Sequence, residues 1–252
     1  MAQESVYDLF SVRGRRALVT GGSAGLGRAM AEALVEGGAE VAIAARSDRL
    51  FDAADAMGAV ALQVDLADRD QTKALVDRAV DALGGLDILV NNAGAQIRHP
   101  AEAFPLEDWD RVLAVNLDAV WILSQSAGRV MLAQGQGKII NIASLMSVFG
   151  GITIPAYAAS KGGVAQLTKA LANEWARHGI NVNAIIPGYM ATELNEALVD
   201  NPDREPLILS RIPAGRWGQP ADLKGTVLFL ASAASDYVHG TLIPVDGGYL
   251  GR

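Results

Sequence analysis

Arg16-Ala17-Leu18-Val19-Thr20-Gly21-Gly22-Ser23-Ala24-Gly25-Leu26-Gly27 decides how the rest of the chain is read. A short apolar run of strand character enters a glycine turn, and a helical pattern begins inside that turn and continues to Gly37. Glycines here permit a tight turn and let backbone N–H groups approach a pyrophosphate. They also let the helix start close to the sheet with its positive end toward the phosphates. The spacing is T-G-x3-G-x-G rather than GxGxxG. Such turns also serve packing alone, but a place at the head of a strand-helix series favours phosphate binding.

Outward from this turn, apolar runs rich in Val, Ile and Leu alternate with stretches of helical period. Strands are expected at Arg16–Thr20, Glu40–Ala45, Ala59–Asp65, Leu86–Asn91, Lys138–Ile142, Asn181–Ile186 and Thr241–Val245. Helices are expected near Gly25–Gly37, Asp70–Leu83, Leu106–Gln134, Tyr157–His178 and Pro220–Ala231. Strands that are apolar throughout belong to a parallel sheet covered on both faces. The fold class is therefore α/β, a doubly wound parallel sheet forming a single domain over residues 1–252. Met190–Arg211 breaks the rhythm with Pro202, Pro206 and a charged run, and is read as a substrate lid or else a surface insertion.

Composition narrows the function classes. With 21 basic and 28 acidic residues the chain carries a net charge of −7, so no global positive field holds a nucleic-acid backbone. The absence of cysteine removes disulfides, thiolate zinc sites and a cysteine nucleophile. His99, His178 and His239 have no ligand spacing; no metal site is expected, and all three read as surface residues. Met1–Ser11 lacks the basic and apolar regions of a signal peptide, and no run of ~20 apolar residues occurs. A cytoplasmic protein with no membrane partner is expected. Trp109, Trp121 and Trp175 fall within helical stretches and read as core or interface residues.

Two features carry chemistry. Where NAD is bound, the second strand is expected to end in an acid about 20 residues after the glycine turn. Here Val41-Ala42-Ile43-Ala44-Ala45 runs into Arg46, whose guanidinium can pair with a 2′-phosphate, so NADP(H) is favoured over NAD(H). The other reading of Arg46 is a solvated arginine with Asp48 as partner. Tyr157 and Lys161 are four apart on one helix, hence on one face. An ammonium beside a phenol stabilises the phenolate and lowers a pKa near 10, fitting the phenol to exchange a proton with an alcohol. Ser144, at the end of the fifth strand, can bond the same substrate oxygen.

Thr20–Gly27, Asn91-Asn92-Ala93-Gly94, Ser144 with Tyr157-Ala158-Ala159-Ser160-Lys161, and Pro187-Gly188 occur in that order along nearly the whole chain. Together they resemble the short-chain dehydrogenase/reductase family. The resemblance implies a Rossmann-type seven-stranded sheet, a nicotinamide cofactor, a homotetramer, and a catalytic tetrad of Asn116, Ser144, Tyr157 and Lys161. In that scheme Tyr157 is the acid/base and Ser144 polarises the substrate oxygen. Lys161 holds the nicotinamide ribose and depresses the Tyr157 pKa, while Asn116 holds a relay water. The implied cofactor contacts are Gly21, Ser23, Gly25, Leu26 and Gly27 at the pyrophosphate, and Asp65 and Leu66 at the adenine. Asn92, Ala93 and Gly94 follow along the ribose, and Pro187, Gly188, Met190 and Thr192 lie near the nicotinamide. Many NADP-using members carry a second basic residue where this chain has Ala24, so NAD(H) use is possible as well.

Lys138–Ser147, Asn183–Thr192, Arg211–Gly218 and Ala231–Val238 are similar to the sugar-acid dehydrogenases of that family, which oxidise a secondary hydroxyl of gluconate-type acids. Such a substrate requires a cation for its carboxylate. Arg98, on the loop leaving the fourth strand, is the candidate, against a solvated surface arginine. Gln96, Met146, Tyr189 and Trp217 are candidates for the rest of the pocket. The alternatives are a 3-oxoacyl carrier-protein reductase, a neutral sugar or polyol dehydrogenase, and, in another class, a cofactor-sensing protein without catalysis.

Overall fold

Strand β1 (Arg16–Thr20) stands between β2 (Glu40–Ala45) and β4 (Ile88–Asn91), and this placement positions everything else. In the computed structural model, which describes residues 5–252, β3 (Val60–Gln63) flanks β2. On the other side β5 (Gly137–Ile142), β6 (Ile180–Pro187) and β7 (Leu242–Val245) continue outward from β4. The order is β3-β2-β1-β4-β5-β6-β7, and every pairing is parallel. The chain reverses direction across the sheet between β1 and β4, so a crevice opens beyond the carboxyl ends of those strands.

Alternate strand residues feed two cores, which is why the strands read as unbroken apolar runs. Val19, Ile43, Val90 and Ile140 face one side, under α1 (Gly25–Glu36), α2 (Arg49–Met57) and α9 (Lys224–Ala231). Leu18, Ala42, Leu89 and Ile139 face the other, under α3 (Arg69–Leu83), α5 (Ala119–Gln134) and α6 (Pro155–Trp175). Leu18 is fully buried, and truncating it to Ala costs roughly 2–5 kcal/mol. A third cluster joins Ile186, Ile208, Ile212, Trp217 and Tyr249 beside the crevice.

The structure departs from expectation in several places. α2 was not expected, although Leu50, Ala53, Ala54 and Met57 have helical spacing; at nine residues it is short for a helix. The single helix expected over Leu106–Gln134 is instead α4 (Leu106–Leu113), a π-helical segment Ala114–Asp118, and α5. A π turn widens the helix by one residue and is invisible to a 3.6-residue period. The third, fourth and seventh strands are shorter than expected, and α6 begins earlier, on Pro155, a favoured first helical residue. The stretch from Met190 to Arg211 holds a 3-10 turn Glu193–Asn195, α7 (Glu196–Val199) and α8 (Glu205–Leu209). Two histidines are more engaged than surface residues. His99 Nε2 lies 2.7 Å from Asp108, and His239 has a buried Nδ1. Part of the segment read for a signal peptide, residues 1–4, lies outside the described residues. Among the described residues no helix is long and apolar enough to cross a membrane, and no group of three or more potential metal-binding side chains occurs.

Candidate active site

Beyond the carboxyl ends of the central strands lies a cleft of about 620 Å³, within the usual range for small-molecule sites. The glycine turn forms one wall. Gly21 and Gly25 have φ of +66° and +54°, the left-handed region that glycine adopts readily. A Cβ on Gly27 would overlap the Gly21 carbonyl, so the helix can start this close to the turn only without a side chain there. The N-cap of α1 is Ala24, which has no capping side chain, so the first amides of the helix are left for a ligand. This cradle fits a dinucleotide pyrophosphate.

Asn92 holds the cradle in shape. Its side-chain amide donates to the Thr20 carbonyl at 2.9 Å and the Gly21 carbonyl at 3.3 Å. Both of its protons are thereby spent on scaffold, although the residue lines the cleft. Thr20 Oγ1 accepts from the backbone of Asn92 and Ala93 and donates to the Val90 carbonyl, locking β1 to the end of β4.

Opposite the cradle, β5 and α6 deliver Ser144, Tyr157 and Lys161 to the cleft lining. Ser144 is buried and caps a 3-10 turn, accepting from Met146 N at 3.1 Å. Ser147 in that turn donates from its hydroxyl to the Lys161 carbonyl at 2.7 Å, so the turn and α6 are tied together. Lys161 Nζ donates to the Ile142 carbonyl at 2.6 Å and lies 5.9 Å from the Tyr157 ring centroid. Burial brings the Lys161 ammonium down to about 8. Burial pushes the Tyr157 phenol up, and a hydrogen bond from Ser144 offsets part of that. Desolvation of the phenol thus acts against the depression expected from Lys161.

Other expected residues divide in two groups. Gly21, Gly25, Leu26, Gly27, Asn92, Ala93 and Gly94 line the cleft, as do Pro187, Gly188, Met190 and Thr192, and so do Gln96, Arg98, Met146 and Tyr189. Ser23, Arg46, Asp65 and Leu66 lie outside that lining. Arg46 is exposed and lies 3.9 Å from Asp65, not beside Asp48, whose carboxylate accepts from Gln63 instead. Trp217 is also off the lining, buried edge-on against Tyr189 at 5.6 Å. Trp175 is buried in the core, whereas Trp121 is 40% exposed.

Asn116 sits in the π segment and is fully buried. Its amide donates to the Ala95 carbonyl and to Ser160 Oγ, and its oxygen accepts from Ala95 N at 2.7 Å. It therefore braces the loop after β4 against α6. Sequence reasoning missed Arg204, Arg211 and Tyr249, which also line the cleft. The two arginines are seven apart, and that spacing in the proposed lid was the available signal. Together with Arg98 they are three cleft cations without an ion-paired carboxylate among the described residues.

A family model (adh_short_C2) described as enoyl-(acyl carrier protein) reductase matches residues 21–250. The chain is 49% identical over 252 residues to 2-dehydro-3-deoxy-D-gluconate 5-dehydrogenase of Bacillus subtilis (strain 168), covering 98% of this chain and 99% of that protein. It is 42% identical to gluconate 5-dehydrogenase of Gluconobacter oxydans (strain 621H), with 96% of each covered. A gluconate 5-dehydrogenase structure from Burkholderia cenocepacia J2315, in complex with NADP and tartrate, superposes with a TM-score of 0.92 at 44% identity, covering 98% of this chain and 100% of that one. The strand order, the glycine cradle and these matches agree, and the chain belongs to the short-chain dehydrogenase/reductase family.

Proposed function

We propose that the protein is an NADP(H)-dependent oxidoreductase that interconverts a secondary alcohol and a ketone on a sugar acid of the gluconate or 2-dehydro-3-deoxygluconate type. The observation that carries this reading is one cleft that combines the Ser144–Tyr157–Lys161 group with arginines that meet no carboxylate among the described residues. Three relatives support the substrate class by their names, and the neighbour holding NADP supports the cofactor. NAD(H) is a second, slower cofactor in this reading.

NADP⁺, when bound, supplies the hydride acceptor. The amides of Gly25, Leu26 and Gly27, with Ser23 beside them, would hold the pyrophosphate. Asp65 and Leu66 would hold the adenine and Arg46 the 2′-phosphate. Ala93 and Gly94 would hold the ribose, and Pro187, Gly188, Met190 and Thr192 the nicotinamide. Tyr157 takes the proton from the substrate hydroxyl as the alcohol is oxidised and returns it in the reverse direction. Ser144 Oγ orients the substrate oxygen. The Lys161 ammonium favours the phenolate electrostatically and has two protons left for the ribose after its bond to Ile142. Asn116 keeps one acceptor site on its amide oxygen for a relay water. Gln96, Met146 and Tyr189 shape the substrate pocket, residues 190–211 cover it, and the working form is a cytoplasmic homotetramer.

The test is an initial-rate screen following NADPH absorbance, with NADP⁺ and NAD⁺ each offered gluconate, 2-deoxygluconate, neutral polyols and, for the reduction, an acetoacetyl thioester. Turnover of a sugar acid above the neutral polyols is expected. Turnover confined to the thioester or to neutral sugars would discard the substrate class.

A further inference from the structure

Of the three cleft arginines, Arg211 alone among the described residues lies over an aromatic ring, its guanidinium carbon 4.7 Å from the Tyr249 centroid. Tyr249 is only 4% exposed, wedged by Tyr189 at 5.3 Å and Phe149 at 5.9 Å. Tyr189 is itself braced edge-on by Trp217. The ring under the guanidinium is therefore packed from two sides, by Phe149 in the segment after β5 and by Tyr189 in the segment after β6.

Stacking occupies the flat face of a guanidinium and leaves its N–H edge free, the edge that bonds a carboxylate in bidentate fashion. An arginine normally gives up rotamer entropy when it is ordered. A guanidinium already held on a ring has met part of that cost before a ligand arrives, so its bond to an anion is correspondingly tighter. All three arginines are exposed, and among the described residues Arg98 and Arg204 lie over no aromatic ring. The arginine expected from sequence to read the substrate charge was Arg98, chosen for its place after β4. The tertiary structure favours Arg211.

The geometry points to Arg211 as the residue that binds the substrate carboxylate, with Tyr249 as the positioning residue that presents it. This rests on the sugar-acid reading above and names the specificity determinant within that site. The pocket then selects polyhydroxy monocarboxylates over neutral polyols chiefly through one preorganised, charge-assisted pair. Arg98 and Arg204 are left to contact hydroxyls at the rim.

The experiment measures KM and kcat on gluconate, or the best sugar acid found, and on a neutral polyol or ketone. The variants are Arg211→Gln, Arg211→Lys, Arg98→Ala, Tyr249→Phe and Tyr249→Leu, with NADP⁺ affinity and thermal midpoint as controls. Arg211 is exposed, so its variants keep the fold. Losing a charge-assisted bond raises KM about 10–100-fold for the acid. The expected result is that rise in Arg211→Gln with the neutral substrate changed less than twofold. Arg211→Lys is expected to give a smaller rise, because a point charge replaces the fork. Tyr249→Leu should raise KM for the acid in the same direction, and Tyr249→Phe, which keeps the ring, should recover most of it.

Calorimetric titration of the NADP⁺-loaded protein with gluconate separates the two readings. Gluconate affinity lost in Arg211→Gln, with no sugar acid turned over by the wild type, would overturn the function and leave the anion site standing. Equal affinity and KM in wild type and Arg211→Gln, or an acid-specific loss confined to Arg98→Ala, would overturn the role of Arg211. A wild type that neither binds nor turns over a sugar acid would overturn both.

Discussion

Lys161 Nζ stands 5.9 Å from the centroid of the Tyr157 ring while donating to the Ile142 carbonyl, so one buried ammonium faces both the phenol and the end of β5. In the proposed mechanism the phenol exchanges a proton with a substrate hydroxyl bonded to Ser144. Tyr157→Phe removes that exchange and nothing else of comparable size. The expected loss in kcat is about 10²–10⁴-fold, with NADP⁺ affinity by fluorescence titration retained. Loss of both together would mark a folding defect and would speak against the acid/base role.

The burial of Lys161 has a consequence for stability. Its folded value of about 8 lies below the ordinary 10.5, so the unfolded chain binds more protons between those two values. Stability contributed at this site is therefore lowest below about 8 and rises as pH climbs toward 10.5. Tyr157, pushed up by burial, opposes this only at still higher pH, where phenols ionise. In thermal unfolding without cofactor, the wild type should gain on Lys161→Met from pH 8 upward. A difference independent of pH would show that the ammonium is not desolvated.

Gly27→Ala places a methyl group against the Gly21 carbonyl and the Asn92 amide, and neither can move without opening the phosphate turn. NADP⁺ affinity should fall by at least about tenfold, the effect of roughly 1.4 kcal/mol, and the thermal midpoint should fall with it. Gly162→Ala in α6, where a Cβ meets open space, is the contrast: it should raise stability by about 0.5–1 kcal/mol.

Arg46 lies 3.9 Å from Asp65 and is two-thirds exposed, a weak pair that a 2′-phosphate readily displaces. Arg46→Ala should lower kcat/KM with NADP⁺ about 10–100-fold and leave NAD⁺ within about threefold. The ratio of the two specificity constants reads this directly, and an unchanged ratio would remove Arg46 from cofactor selection.

At the opposite end of the sheet, Asp87 is 4% exposed and accepts from the Arg16 backbone at 2.9 Å and from its guanidinium at 2.7 and 3.1 Å. Burial alone would raise the Asp87 pKa, but the bonds and charge of Arg16 outweigh it and hold the carboxyl below the usual 3.8. Its stabilising contribution is present above about 4 and is lost as pH falls below that. Asp87→Asn leaves Arg16 without its counter-charge and should cost about 3 kcal/mol at neutral pH by denaturant unfolding. That deficit should shrink as the wild-type carboxyl protonates in acid.

Much of the site was legible because it is local. Tyr157 and Lys161 are one helical turn apart, and the glycine turn follows β1 directly, so spacing alone brings their groups together. The parallel sheet was legible from uninterrupted apolar strands such as Val41–Ala45. α2 escaped because its nine residues are short beside the stronger strand signals around it. The π segment at Asn116 escaped because a one-residue widening leaves the hydrophobic period of Leu106–Gln134 nearly intact.

Sequence by itself determined the succession of seven strands along the chain, the glycine turn after β1, and the shared helical face of Tyr157 and Lys161, since periodicity, glycine and four-residue spacing act over a few residues. Only the tertiary structure decided which cations are paired, which are buried, and which are mounted. Arg49 meets Glu193 across 144 residues, and Arg211 is set on a tyrosine from the C-terminal segment. Pairing and desolvation are properties of the space between elements, and the protonation of Lys161 and the orientation of Arg211 follow from that space.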